Sequence, residues 1–175
     1  MLLGAPGTPW LPAAGAAGKI AGMSAILPTL RRTLPDLAAT EAFAGRVAAL
    51  LRPGDAVLLE GPLGAGKTAF ARALLRTLTA DPSLEVPSPS FALVQSYDTP
   101  IGPVHHFDLW RLEGSAGLAE LGWQEARGDT VLVEWPDRLG ALRPADALVV
   151  ALAPRGEGAR EAGLTGWPGR LERLA

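Results

Sequence analysis

The chain has 175 residues, 48% of them hydrophobic and 19% charged, which suits one domain with a sizeable core. A formal net charge of −2 argues against tight, unaided nucleic-acid binding and leaves any RNA contact to a partner or a local arginine patch. The absence of cysteine excludes disulfides, thiolate metal sites and cysteine nucleophiles.

Residues 1–22 are rich in Ala, Gly and Pro and carry no early basic residue ahead of an apolar core, so they read as a disordered extension and not as a secretory signal. Met23 is a candidate natural start, and residues 23–175 are expected to form a single domain. Ile26 to Thr33 is strand-like. Asp36 can cap a helix whose apolar face is Phe43, Val47, Leu50 and Leu51, stopped by Pro53-Gly54. No apolar run approaches the roughly 20 residues of a membrane span, and the cytoplasm is the expected compartment.

The next stretch, Gly61-Pro62-Leu63-Gly64-Ala65-Gly66-Lys67-Thr68, fits the phosphate-cradling pattern G-x-x-x-x-G-K-[ST]. Ala56 to Glu60 enters it as a short apolar strand, and Thr68 to Arg76 leaves it with helical spacing, Ala69 standing just after the motif. Glycines let backbone N–H groups turn inward around phosphate oxygens, and the helix adds its positive end. Lys67 can reach the β- and γ-phosphates while the Thr68 hydroxyl can bind Mg²⁺. A nucleoside triphosphate is therefore the expected ligand. Only two lysines, Lys19 and Lys67, stand among fourteen arginines, so an ammonium in this loop is conspicuous.

Beyond the helix, Pro87-Ser88-Pro89-Ser90 favours an extended loop, placed where a nucleotide-sensing switch could lie. Phe91 to Tyr97 and Val104 to Leu109 read as the arms of a hairpin turned at Thr99 to Pro103. Trp110 to Trp123 mixes turns with a short helix. Thr130 to Glu134 reads as a buried strand and Ala147 to Ala153 as the last clear one. The alternation of strands and helices implies a three-layer α/β sandwich on a mixed sheet.

Hydrolysis or transfer needs a carboxylate for the metal and a group that orients the attacking oxygen. Glu134 ends a Val-Leu-Val run, the position of a Walker B acid. Strand alternation puts His106 and Asp108 on one face and Phe107 on the other. Asp108 can hold a metal-bound water or orient a nucleophile; a salt bridge to Arg111 is its structural alternative. His106 can relay a proton or simply hydrogen-bond beside the site, and Trp135 can cover the site or fill core. The adjacent pair His105 and His106 cannot alone make a zinc site.

Four blocks in order resemble the TsaE (YjeE) family, the ATPase subunit of bacterial tRNA threonylcarbamoyladenosine synthesis. They are Gly61 to Thr68, Ser88-Pro89-Ser90-Phe91 with Tyr97, His106 to Leu112, and Val133-Glu134-Trp135-Pro136. The resemblance runs from about Leu34 to Pro136, with a looser echo at Gly158 and Arg160. It implies a P-loop NTPase-like sandwich in which Lys67, Thr68 and the loop backbone from Gly61 to Ala69 hold Mg·ATP. Glu134 would join Thr68 on Mg²⁺, Asp108 would be needed for hydrolysis, and Ser88 to Phe91 would match a switch-like loop. It further implies work with two partners, TsaB and TsaD, with tRNA contacted through that complex, ATP hydrolysis resetting the complex that makes the transfer. Three positions depart from the family: Ser90 replaces a usual Thr, Trp110 a usual Tyr, and Ala69 a second Thr or Ser.

Two other functions share this site. A small-molecule kinase would use Asp108 as base and Arg155 or Arg160 as lid arginines, but gives the Ser-Pro-Ser-Phe and Glu-Trp-Pro blocks no required place. A nucleotide-dependent interaction module would bind ATP and change shape without appreciable hydrolysis. A GTPase lacks its Asn-Lys-x-Asp guanine-reading motif here.

Overall fold

A computed structural model describes residues 30–174. The extension at 1–22, the start at Met23 and the beginning of the first strand at Ile26 lie outside the described residues. Seven strands form one sheet: β1 (Leu30–Leu34), β2 (Ala56–Glu60), β3 (Val94–Tyr97), β4 (Val104–Asp108), β5 (Thr130–Glu134), β6 (Leu148–Arg155) and β7 (Ala159–Thr165). Their order is β1-β7-β6-β2-β5-β4-β3. The central four, β6, β2, β5 and β4, are parallel, and antiparallel pairs flank them on both sides.

Side-chain alternation along the central strands builds two cores. Val57, Leu59, Leu132 and Val150 face one side, where helices α1 (Leu37–Ala48) and α2 (Lys67–Thr79) cover them with Phe43, Val47, Phe70 and Leu74. Leu58, Val131, Val133 and Phe107 face the other, under Leu118, Leu139 and the short helix α3 (Trp123–Ala126). Phe107 meets Trp123 edge-on, centroids 5.3 Å apart, and fixes that layer against the sheet. The three-layer α/β sandwich on a mixed sheet expected from the pattern is thus present.

Local chemistry sets most element ends. Asp36 caps α1, its carboxylate accepting from Ala39 N at 2.7 Å, and α2 stops where Ala80 turns left-handed before Asp81-Pro82. Leu50 and Leu51 are buried as expected, though they lie past the end of α1. Two expectations need correction. The strand read from Phe91 begins only at Val94, because Leu93 adopts a left-handed φ of 65° and its N–H closes a turn onto Pro89 O. β7 follows the strand that the pattern made the last clear one: only Ala162 and Leu164 alternate inward, and pairing with β1 and β6 supplies what its apolar content does not.

The close approach of β6 to the glycine loop is unforgiving. Gly61 has φ 141°, and a Cβ there would stand 2.3 Å from Leu152 O and 2.9 Å from Ala65 Cβ. Gly54 also has positive φ, 83°, but open space around it. Gly61→Ala is expected to cost about 3 kcal/mol or more, against about 1 kcal/mol for Gly54→Ala. Equal shifts of the two variants in chemical denaturation would contradict this packing.

Candidate nucleotide site at the carboxyl edge of the sheet

The glycine loop leaves the carboxyl end of β2 and returns into α2. Gly61, Gly64 and Gly66 all have positive φ, and Ala65 N donates to Pro62 O to close the bend. Gly66 precedes α2 in a left-handed conformation and gives it no side-chain cap, so the first amides of the helix keep their donors for a ligand. Lys67 is the first helical residue.

β4 and β5 pair in parallel with Asp108 opposite Glu134, which sets two carboxylates side by side at this edge. They face α2, and Thr68 Oγ1 donates to Glu134 at 2.9 Å from Oε1 and 3.1 Å from Oε2. His106, two residues before Asp108 on the same face, is fully buried with Nε2 3.0 Å from Glu134 Oε1. Its other ring nitrogen, Nδ1, has no protein partner. The imidazole therefore holds the Glu134 carboxylate in place.

Asp108 accepts from Ser88 Oγ at 2.5 Å and from Trp110 N at 3.1 Å. Arg111 does not pair with it; the guanidinium lies 4.7 Å over the exposed ring of Phe91. Ser90 sits in the turn beyond Pro89 and makes no bond to either carboxylate. Of the two loop serines, Ser88 alone reaches the cluster.

Lys67 is buried, its ammonium donating to Gly61 O at 2.9 Å and Pro62 O at 3.0 Å. Burial lowers its pKa, while the charges of Glu134, Asp108 and Asp137 act in the opposite direction. The ammonium also lies 3.8 Å from the ring centroid of Trp135. Trp135 reaches this position by a left-handed backbone, φ 60° and ψ 51°, which turns the chain sharply as it leaves β5. Such a conformation costs a bulky residue about 1–2 kcal/mol. Its ring packs on Trp110 at 4.3 Å, a contact that no sequence spacing announced.

One hydroxyl and one carboxylate, both oxygen donors, suit Mg²⁺, which commonly completes its octahedron with phosphate and water oxygens. No cluster of three His, Cys, Asp or Glu among the described residues could chelate a cation unaided. The Thr68 and Glu134 oxygens therefore fit a metal that arrives with a phosphate chain.

The family model described as "Threonylcarbamoyl adenosine biosynthesis protein TsaE" matches residues 34–162. The chain belongs to the TsaE family. A relative from Rickettsia bellii, named tRNA threonylcarbamoyladenosine biosynthesis protein TsaE, is 39% identical over 114 residues, 65% of this chain and 78% of that protein. The protein of the same name from Bacillus subtilis is 34% identical over 137 residues, 77% of this chain and 84% of its own length. The crystal structure of Bacillus subtilis YdiB superposes with a TM-score of 0.68 at 28% identity, covering 85% of this chain and 93% of that one. TsaE proteins are P-loop, nucleotide-binding proteins, in keeping with the loop and sheet found here. No described helix is long and apolar enough to cross a membrane.

The Ser88 hydroxyl gives the Asp108 carboxylate a partner inside the protein. Ser88→Ala is expected to cost about 1–2 kcal/mol, whereas Ser88→Thr stays near the parent. Unchanged denaturation midpoints for both variants would show that the bond contributes nothing to the fold.

Proposed function

We infer that this chain binds ATP with Mg²⁺ at the glycine loop and hydrolyses it to reset a TsaB–TsaD complex during threonylcarbamoylation of the adenosine beside the tRNA anticodon. The observation that carries the inference is the convergence of the Thr68–Glu134 hydrogen bond with the adjacent Asp108 beside the loop. Membership of the TsaE family supplies the pathway.

In this reading the loop amides and Lys67 hold the phosphates, Lys67 exchanging two carbonyl oxygens for phosphate oxygens. Thr68 and Glu134 hold Mg²⁺, which when bound neutralises charge on the β- and γ-phosphates. His106 keeps Glu134 in register. Asp108 orients the attacking water, whose oxygen bonds to the γ-phosphorus as the bond to the β–γ bridging oxygen breaks. ADP leaves with that electron pair, and the water's proton passes through the carboxylate to solvent. Ser88 ties the step to the loop that carries Phe91, so a change at Asp108 is felt at the surface. Ala69 offers no hydroxyl for a phosphate, which puts more of the binding on backbone donors. The chain is expected to act in the cytoplasm.

The test is Mg-dependent phosphate release by the full chain, alone and with purified TsaB and TsaD, with and without tRNA. The rate is expected to be slow alone and to rise with the partners. Asp108→Asn should lower the partner-stimulated rate by about 100-fold or more while ATP binding persists. Partners that neither bind nor change the rate would overturn the assignment and turn attention to an alcohol that accepts the γ-phosphate. A stimulated rate that survives Asp108→Asn would remove that residue from the chemistry.

A further inference from the structure

Two arginine pairs bracket β2, and only one of them holds the strand where the glycine loop begins. Asp55, just before the strand, accepts from both Nη atoms of Arg170, at 2.6 and 2.9 Å. Glu60, the last residue of the strand, accepts from Arg143 Nη2 at 2.6 Å. The two pairs are similarly enclosed, with side chains 17% and 14% exposed for Arg170 and Asp55 and 25% and 10% for Arg143 and Glu60. Among the described residues Glu60 and Arg143 have no other ion-pair partner.

Glu60 does not belong to the carboxylates that meet Thr68. It alternates with Leu58, on the sheet face opposite α2. Its main chain, however, runs directly into Gly61, whose carbonyl accepts from the Lys67 ammonium at 2.9 Å. Gly61 stands so close to Leu152 O that a Cβ has no room there. A displacement of Glu60 therefore passes along the loop, because close packing on the β6 side leaves it nowhere else to go.

Arg143 ends a segment that starts at the same lysine. The chain leaves β5 at Glu134 and lays the Trp135 ring 3.8 Å from the Lys67 ammonium. It then runs through 3-10 turns at Pro136–Leu142, with Leu139 buried, and delivers Arg143 to Glu60. We propose that Arg143 is a positioning residue of the nucleotide site: by holding the Glu60 carboxylate it fixes where Gly61 leaves β2, and so where the Gly61 carbonyl and the Lys67 ammonium stand. The proposal rests on the loop holding Mg·ATP, as inferred above. Arg170, at the far end of the same strand, braces the fold without touching the loop and serves as the control.

Isothermal titration with Mg·ATP, paired with thermal melting without nucleotide, tests this on full-length parent, Arg143→Gln, Glu60→Gln, the double variant and Arg170→Gln. Arg143→Gln should bind Mg·ATP about tenfold more weakly, and the double variant no more weakly than the worse single one, since both remove the same contact. Arg170→Gln should melt at least as early as Arg143→Gln, yet bind within about twofold of the parent where it is folded. Where Arg143→Gln does not fold, Arg143→Lys, which keeps the charge and loses the fork, should lose about threefold while Arg170→Lys loses nothing. Parent-like affinity in the Arg143 variants would overturn the proposal, as would an equal loss in the Arg170 variants, which would make affinity a mere reflection of stability. Additive losses in the double variant would also overturn it, because Arg143 would then act by a route other than Glu60. A parent chain that does not bind Mg·ATP would overturn the nucleotide reading itself, and is told apart by appearing before any substitution is made.

Discussion

One buried ammonium set among two buried carboxylates is the constraint on which the site depends. Lys67, Glu134 and Asp108 are each no more than 5% exposed. Burying any one of them without compensation would cost several kcal/mol. Together they offset one another, and hydrogen bonds from Thr68, Ser88 and His106 and to the loop carbonyls take up much of the remaining polar capacity. Burial lowers the pKa of the lysine, and the neighbouring charges of Glu134, Asp108 and Asp137 work against that shift. The fold brings the three buried groups together with backbone geometry: a left-handed Gly66 starts α2 at Lys67, and parallel register sets Asp108 beside Glu134.

The mixed sheet divides the labour around that cluster. Four parallel strands bring their carboxyl ends to one edge, which is where open α/β sheets place ligands. The antiparallel flanks then add material that parallel strands could not supply so locally. On one flank the turn before β3 lays Ser88 on Asp108; on the other the β6–β7 hairpin lays Arg160 on Gly66. Both contacts reach the loop region from outside the strand–loop–helix unit that contains the motif.

Legibility followed the range of the interactions. The glycine loop, its strand and helix, and the acid at the end of β5 were readable because each rests on a local pattern, as did the shared face of His106 and Asp108. The break at Leu93 was not, since it depends on a turn bond to Pro89 and on Leu93 O accepting from Asp108 N across the sheet. β7 was missed because Ala-Arg-Glu-Ala-Gly-Leu-Thr shows just two inward apolar positions and is held by neighbours on both sides. The Thr68–Glu134 bond spans 66 residues, and the Trp110–Trp135 contact joins two turns. The resemblance to a known family already paired Thr68 with Glu134, whereas the Trp110–Trp135 contact emerged only from the fold.

The aromatic rim shows how the site meets what lies outside it. Trp135 accepts a strained backbone to lie between the Lys67 ammonium and Trp110, so part of the stacking energy is spent on keeping the lysine's far side covered. Farther out, Phe91 is 85% exposed and Leu63 79% exposed, one on the Ser88 loop and the other on the glycine loop. Large apolar side chains stay in water at a cost unless something else covers them. Phe91 is three residues from Ser88, and Ser88 is hydrogen-bonded to Asp108. The exposed ring of Phe91 and the buried carboxylate of Asp108 therefore belong to one short, hydrogen-bonded stretch of the fold.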